Sequence, residues 1–163
     1  MAQKKFFTVL LLALSVAVFS HCKKEDTEGP DILPGVGLKN VQIGDPLKDA
    51  FDAYGPTSGT YVEANGQFIH IVNYETIGIL ILLEPTDSPT LDQDTKIKSF
   101  SLDPPYSGKT AENIGIGSTK TEVRTAYGQP NLSDATTDTY STLGISFSSD
   151  AAAKTTGIVV SKF

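Results

Sequence analysis

Asn40-Val-Gln-Ile-Gly-Asp-Pro-Leu-Lys-Asp-Ala-Phe-Asp-Ala-Tyr-Gly55 returns as Asn113-Ile-Gly-Ile-Gly-Ser-Thr-Lys-Thr-Glu-Val-Arg-Thr-Ala-Tyr-Gly128, at a constant offset of 73. Asn40/Asn113, Ile43/Ile116, Gly44/Gly117, Ala53/Ala126, Tyr54/Tyr127 and Gly55/Gly128 are identical, and a proline follows each copy, Pro56 and Pro130. Each block reads as a short amphipathic helix. In the first, Leu47, Ala50, Phe51 and Tyr54 fall at i, i+3, i+4 and i+7, one apolar stripe. Asp45 is the expected N-cap, Pro46 suits the first turn, and Gly55-Pro56 stops the helix. In the second, Thr119 with Glu122 forms a capping box, with Ser118 an alternative cap one residue earlier. Val123, Ala126 and Tyr127 make its stripe, and Arg124 stands in the place of Phe51, so the second helix is expected to be less buried.

Two more blocks recur in the same order. Tyr74-Glu-Thr-Ile-Gly-Ile79 matches Tyr140-Ser-Thr-Leu-Gly-Ile145, and Lys98-Ser-Phe-Ser-Leu102 overlays Thr156-Gly-Ile-Val-Val160. Between helices the apolar alternation has period two, the mark of half-buried strands. Tyr61 to Glu63 and Phe68 to Val72 flank Asn65-Gly66, a hairpin turn signal. Ile77–Leu83 and Ile97–Leu102 are expected strands, as are Thr139–Thr142, Gly144–Phe147 and Gly157–Phe163. The second copy is shorter between helix and tyrosine block, so its first hairpin strand is expected to be lost or shortened. The expected fold is α+β: two tandem repeats, residues 37–105 and 106–163, each a short helix packed on an antiparallel β-sheet, in one compact unit.

The chain begins with a basic pair (Lys4, Lys5), an apolar run from Phe6 to Phe19, and the small or polar Ser20 and His21. This is the layout of an export signal. Fourteen residues are too few for a spanning helix, which needs about 20. Cys22, the one cysteine, follows directly. Phe19-Ser20-His21-Cys22 looks like a lipobox, so residues 1–21 are expected to be removed and Cys22 to carry acyl chains. Ordinary cleavage after Ser20 is the alternative. Each buried methylene of an acyl chain contributes about 0.8 kcal/mol, and two or more chains hold a protein on a bilayer stably. Residues 22–36, polar and broken by Gly29-Pro30, are expected to be a flexible tether.

Composition narrows the function. The full chain carries 13 Lys plus Arg against 19 Asp plus Glu, net −6. Losing Lys4 and Lys5 with the signal leaves 11 against 19, net −8. Such a scattered acidic surface does not suit nucleic acid, whose phosphates need clustered Lys and Arg. His21 leaves with the signal, so His70 is the remaining histidine of the two. One histidine and one cysteine make neither an ordinary zinc site nor a hydrolytic triad. His70 alternates with Phe68 and Val72 and reads as a strand residue with its hydrogen bonds satisfied. Asp92-Gln-Asp94, near Glu84 and Asp87, lacks the glycine and closing glutamate of a calcium loop and reads as a solvated acidic loop. The spacing Gly115-Ile-Gly117 is too short for a nucleotide fingerprint. No catalytic residue, cofactor or metal site is assigned.

The pattern Ile-Gly-x-[Thr/Ser/Pro]-x-x-x-[Val/Ala]-x-x-x-Tyr-Gly-x-Pro resembles small exported bacterial domains. These include the SmpA/OmlA-type outer-membrane lipoproteins and the tandem-repeat beta-lactamase inhibitory protein fold. Ile116, Gly117, Thr119, Glu122, Val123, Gly128 and Pro130 carry the resemblance, with Ile43, Gly44, Ala50, Gly55 and Pro56 in the first copy. It covers about two thirds of the chain after the signal. It implies a helix on an antiparallel sheet, twice over, and carries no activity across.

The expected function is that of a non-enzymatic, outer-membrane-anchored lipoprotein. It would bind an unidentified protein partner or serve the envelope structurally, with the membrane held through the lipid. A surface-exposed adhesin or ligand-binding lipoprotein is the alternative, suggested by Lys23-Lys24-Glu25-Asp26 straight after Cys22. Ile79-Leu-Ile-Leu-Leu83 is apolar on both alternate faces, whereas Ile145-Ser-Phe-Ser-Ser149 is hydroxylated on one. The first of these is covered on both faces, between the two halves, or shows an apolar patch to a partner. The residues named for that patch are Leu80 and Leu82, with Tyr61, Phe68 and His70 in the adjacent hairpin.

Overall fold

Leu47 and Ala50 have no exposed surface, and Phe51 and Tyr54 pack against the same core, so the first apolar stripe forms helix α1 (Leu47–Tyr54) as its spacing requires. The structure, a computed structural model, describes residues 31–162. Asp45 does not cap α1. Its carboxylate accepts the Gln42 backbone N–H at 2.7 Å, and the N-cap is Pro46, which offers no side-chain acceptor. The first free N–H groups of the helix go instead to loop carbonyls: Leu47 to Thr95 and Lys48 to Gln93, each at 2.9 Å. The acidic loop of Asp92 and Asp94 thus closes the helix start. Asp92 Oδ1 holds the loop by accepting the Asp94 N–H at 2.9 Å.

Helix α2 (Lys120–Tyr127) keeps the capping box. Thr119 Oγ1 accepts the Glu122 N–H at 3.2 Å, and Glu122 Oε2 accepts the Thr119 N–H at 2.7 Å. Ser118 is not the cap; its hydroxyl accepts the Gly115 N–H at 3.1 Å. Only Val123 is fully buried in α2, and Arg124 turns to an ion pair described below.

Among the described residues there are two sheets. Strands β1 (Ile32–Leu33) and β2 (Gly37–Leu38) form a small hairpin. The others are β3 (Gly59–Ala64), β4 (Gln67–Tyr74), β5 (Ile79–Leu83), β6 (Ile97–Leu102), β7 (Leu132–Ser133), β8 (Thr137–Tyr140), β9 (Ile145–Ser149) and β10 (Thr155–Ser161). These make one antiparallel sheet in the order β3-β4-β5-β6-β10-β9-β8-β7. The centre is the β6–β10 pair, in which Phe100 faces Val160 and Leu102 faces Ile158. Asn65 and Gly66, at φ 53° and 77°, make the tight turn between β3 and β4.

Four strand expectations need correction. Residues Glu75–Ile77 and Ser141–Leu143 are single 3₁₀ turns, so Ile77 does not belong to β5, nor Ser141 and Thr142 to β8. Each turn ends on a glycine in the left-handed region, Gly78 (φ 69°, ψ 33°) and Gly144 (φ 70°, ψ 36°). β9 and β10 run two residues further and two residues earlier than expected, Ile145–Ser149 and Thr155–Ser161. The tether reading also ends too late. From residue 31 the chain is folded: Ile32 is fully buried, and the N–H groups of Asp31 and Ile32 both donate to the Lys109 carbonyl. An apolar Ile32 set into the gap beside Leu38 and Val41 outweighs the polar composition around it.

One face of the large sheet carries the core. Ile79, Ile81, Leu83, Phe100, Leu102, Ile145, Phe147, Ile158 and Val160 alternate onto it, beneath Leu47, Ala50 and Val123 of the helices. Two tyrosines tie helix ends to strands. Tyr74 donates to the Gly55 carbonyl and Tyr140 to the Gly128 carbonyl, both at 3.0 Å. The rings stack edgewise or tilted on the last helical residue, Tyr54–Tyr74 at 5.6 Å and Tyr127–Tyr140 at 5.5 Å.

Candidate binding face

Alternation sends every second side chain of the sheet to the face opposite the core. The strand registers then fix which residues are neighbours there. One row crosses seven strands: Asn73, Leu80, Ser101, Val159, Ser146, Thr139 and Leu132. A second runs Thr60, Ile71, Leu82, Ser99 and Ser161. A third pairs Val62 with Ile69. At about 4.8 Å per strand the longest row spans roughly 30 Å. None of these positions is charged, on a chain where 20% of residues are.

The face is divided by chemistry. Towards β3, β4 and β5 it is aliphatic: Val62, Ile69, Ile71, Leu80 and Leu82. Towards β8 and β9 it is hydroxylated: Ser146, Ser148, Thr137 and Thr139. Leu80, Leu82, Ile69 and Ile71 are half-buried by their neighbours alone, and Val62 is 55% exposed. Of the two readings of Ile79–Leu83, burial on both faces is not what forms among the described residues.

The five residues named from the sequence divide between two faces. Leu80 and Leu82 lie on the uncharged face. Tyr61, Phe68 and His70 lie on the other, because they alternate with Val72 and Tyr74, which are buried in the core. They cluster beyond the helix: Tyr61 meets Phe68 at 5.2 Å and His70 at 5.8 Å between ring centres. His70 is 1% exposed, and its Nε2 lies 3.0 Å from the Ser88 carbonyl, so it fastens the 84–96 loop over the hairpin. That contact occupies Nε2, inside a ring buried under the loop. Ile69, Ile71 and Val62 belong to the face and were not named. Ile69 and Ile71 left a signal, since Phe68–Val72 is apolar in both phases apart from His70. Cys22 lies outside the described residues.

Other polar groupings are internally satisfied. Arg124 grips Asp138 through Nε and Nη2 at 2.7 and 2.8 Å, Ser133 donates to the same carboxylate at 2.6 Å, and Lys120 stands 3.2 Å away. The Arg124 hydrogen bonds, with those of Ser133 and Lys120, hold the Asp138 carboxyl far below the usual range. A cleft of about 690 Å³ beside α2 is lined by Lys109, Glu112, Ser118, Thr121 and Thr125. Its charged groups are already engaged: Lys109 donates to Asn113 Oδ1 at 3.0 Å, and Glu112 accepts from the Tyr127 hydroxyl at 2.7 Å. Among the described residues no group of three His, Cys, Asp or Glu side chains is placed to hold a metal ion. Comparison with family models, with curated proteins and with solved structures gives no match for this chain.

Proposed function

We propose that this chain is an outer-membrane lipoprotein, anchored through acylated Cys22, that works as a non-enzymatic protein-binding or envelope-structural module. The body would be two tandem repeats of helix and antiparallel sheet, related to the SmpA/OmlA-type and beta-lactamase inhibitory protein domains. The recurring sequence blocks support the duplication. So do the matched 3₁₀ turns, the matched tyrosine–carbonyl bonds and the sheet order, in which β3 to β6 on one side run inward as β7 to β10 do on the other.

The observation that carries the binding reading is the uncharged sheet face. Rows of side chains with no ionised group are cheap to desolvate, and the aliphatic half of the face supplies the apolar core that stable interfaces need. Burying one leucine there contributes about 1.5–3 kcal/mol. Chemical crosslinking in intact cells, followed by mass spectrometry, tests it. Leu80→Ala and Leu82→Ala should lose the crosslinked partner while keeping the wild-type melting temperature. Undiminished capture in a folded double variant would remove the reading. The anchor has its own test: Cys22→Ser should leave the membrane fraction and take up no labelled palmitate.

A second reading, a surface adhesin or ligand-binding lipoprotein, is favoured by the charged stretch Lys23-Lys24-Glu25-Asp26 after the lipid position. Protease shaving of intact cells separates the two. Loss of the protein places it outside, and protection places it towards the periplasm.

A further inference from the structure

The two margins of the large sheet are built differently. At one end β7 is two residues long and begins just after Pro130, the short, proline-guarded form that keeps an edge from pairing. At the other, β3 runs six residues, Gly59 to Ala64, with every residue exposed. It holds neither lysine nor proline, and its centre is Thr60, Tyr61 and Val62, all strong strand formers. Tyr61 and Val62 are 50% and 55% exposed.

The register shows which backbone groups face outwards. Phe68 exchanges both of its backbone hydrogen bonds with Thr86, on the side of β4 away from β3. Its β3 neighbour Glu63 is therefore in a pair that shares no bonds, and the N–H and C=O of Glu63 point to the free margin. By alternation those of Tyr61 and Gly59 do too, while Thr60, Val62 and Ala64 are spent on β4.

We propose that β3 is an edge-pairing surface whose occupant is β3 of a second copy of this chain, antiparallel about a twofold axis at Tyr61. With Tyr61 opposite Tyr61 and Gly59 opposite Glu63, every outward donor and acceptor of β3 finds a partner, and the two sheets join as one. The charges agree with this occupant. Glu63 is the one charged residue of the strand, and the pairing sets it against an uncharged glycine and never against its own copy. The closure also agrees: each chain has one open margin and one blunted margin, so pairing stops at two copies and does not run on as a fibre. The uncharged faces then run on as one across the axis, with Val62 of each copy opposite Thr60 of the other and Ile69 and Ile71 one strand further in. This assembly goes beyond the partner-binding reading and stands without it.

Hydrogen exchange on the full-length chain in mild detergent tests the proposal, with protein concentration varied from roughly 1 µM to 1 mM. The amides of Tyr61 and Glu63 should exchange at least tenfold more slowly at the high end, while Val62 stays protected throughout. Light scattering should report two chains over the same range. Two molecules sharing a micelle would not protect these alternate amides. Glu63→Pro removes an outward N–H that β4 does not use, and should abolish both the protection at Tyr61 and the doubled mass. Tyr61→Lys, which keeps all backbone groups, should do the same. Concentration-independent exchange at Tyr61 and Glu63, or protection that survives both variants, overturns the proposal. Protection that appears only when other envelope proteins are added also overturns it, and assigns the edge to a different partner.

Discussion

Thr155 sits 1% exposed at the start of β10, and its hydroxyl makes no hydrogen bond among the described residues. The same place beside α1 holds Ile97. The Gly44 N–H donates to Ile97 as the Gly117 N–H does to Thr155. An apolar side chain of equal shape should therefore serve better. Thr155→Val is expected to raise stability by about 0.5–1 kcal/mol in urea unfolding, because a buried unpaired hydroxyl is removed. Asp138 is the opposite case, a buried carboxylate fully engaged by Arg124, Ser133 and Lys120. Asp138→Asn should lower stability at pH 7 by about 2 kcal/mol, as one buried partner of an ion pair is neutralised. Since the folded state holds this carboxyl below its ordinary value near 4, its contribution is present above about pH 4 and fades as pH falls through the lowered value. The gap between wild type and variant should accordingly narrow in acid, which unfolding curves at pH 7 and pH 3 would show.

Short turns do much of the positioning between helix and strand. Gly78 and Gly144 each end a 3₁₀ turn in the left-handed region, where a Cβ costs about 1–2 kcal/mol by itself. Space is also lacking: a Cβ on Gly78 would strike the Asp103 carbonyl, and one on Gly144 the Ser161 carbonyl. Gly144→Ala should therefore cost at least about 2 kcal/mol, read as a drop in melting temperature of several degrees. Gly55, which ends α1 at φ 91°, has open space around its Cβ position. There alanine should bring the conformational strain alone, so Gly55→Ala is expected to be the milder of the two. The helix starts differ for a related reason. Thr119 and Glu122 cap α2 from within four residues, whereas α1 begins on proline and draws its acceptors from Thr95 and Gln93.

Across the protein the core is tyrosine-rich and sealed by one layer of helix. Burial pushes Tyr74 up to about 12, and it raises Tyr54, Tyr106, Tyr127 and Tyr140 as well. An unfolded tyrosine ionises near pH 10, so the unfolded chain loses these protons first. The stability they confer is in place below about pH 10 and is lost as pH rises toward 12. A series of thermal melts from pH 8 to 12 should show a steep fall above pH 10, in step with tyrosinate absorbance. Tyr74→Phe should flatten it. Both helices and the β3–β4 turn could be read directly from the amino acids, because stripe, capping pair and Asn65-Gly66 each lie within a few neighbouring residues. Class and antiparallel character followed from two periodicities. Long-range pairing decided the rest. Asp45 lost its capping role to a loop some fifty positions away, and Tyr61, Phe68 and His70 parted from Leu80 and Leu82. In a sheet, the face a side chain takes depends on register against another strand, and register is set by contacts between segments distant along the chain.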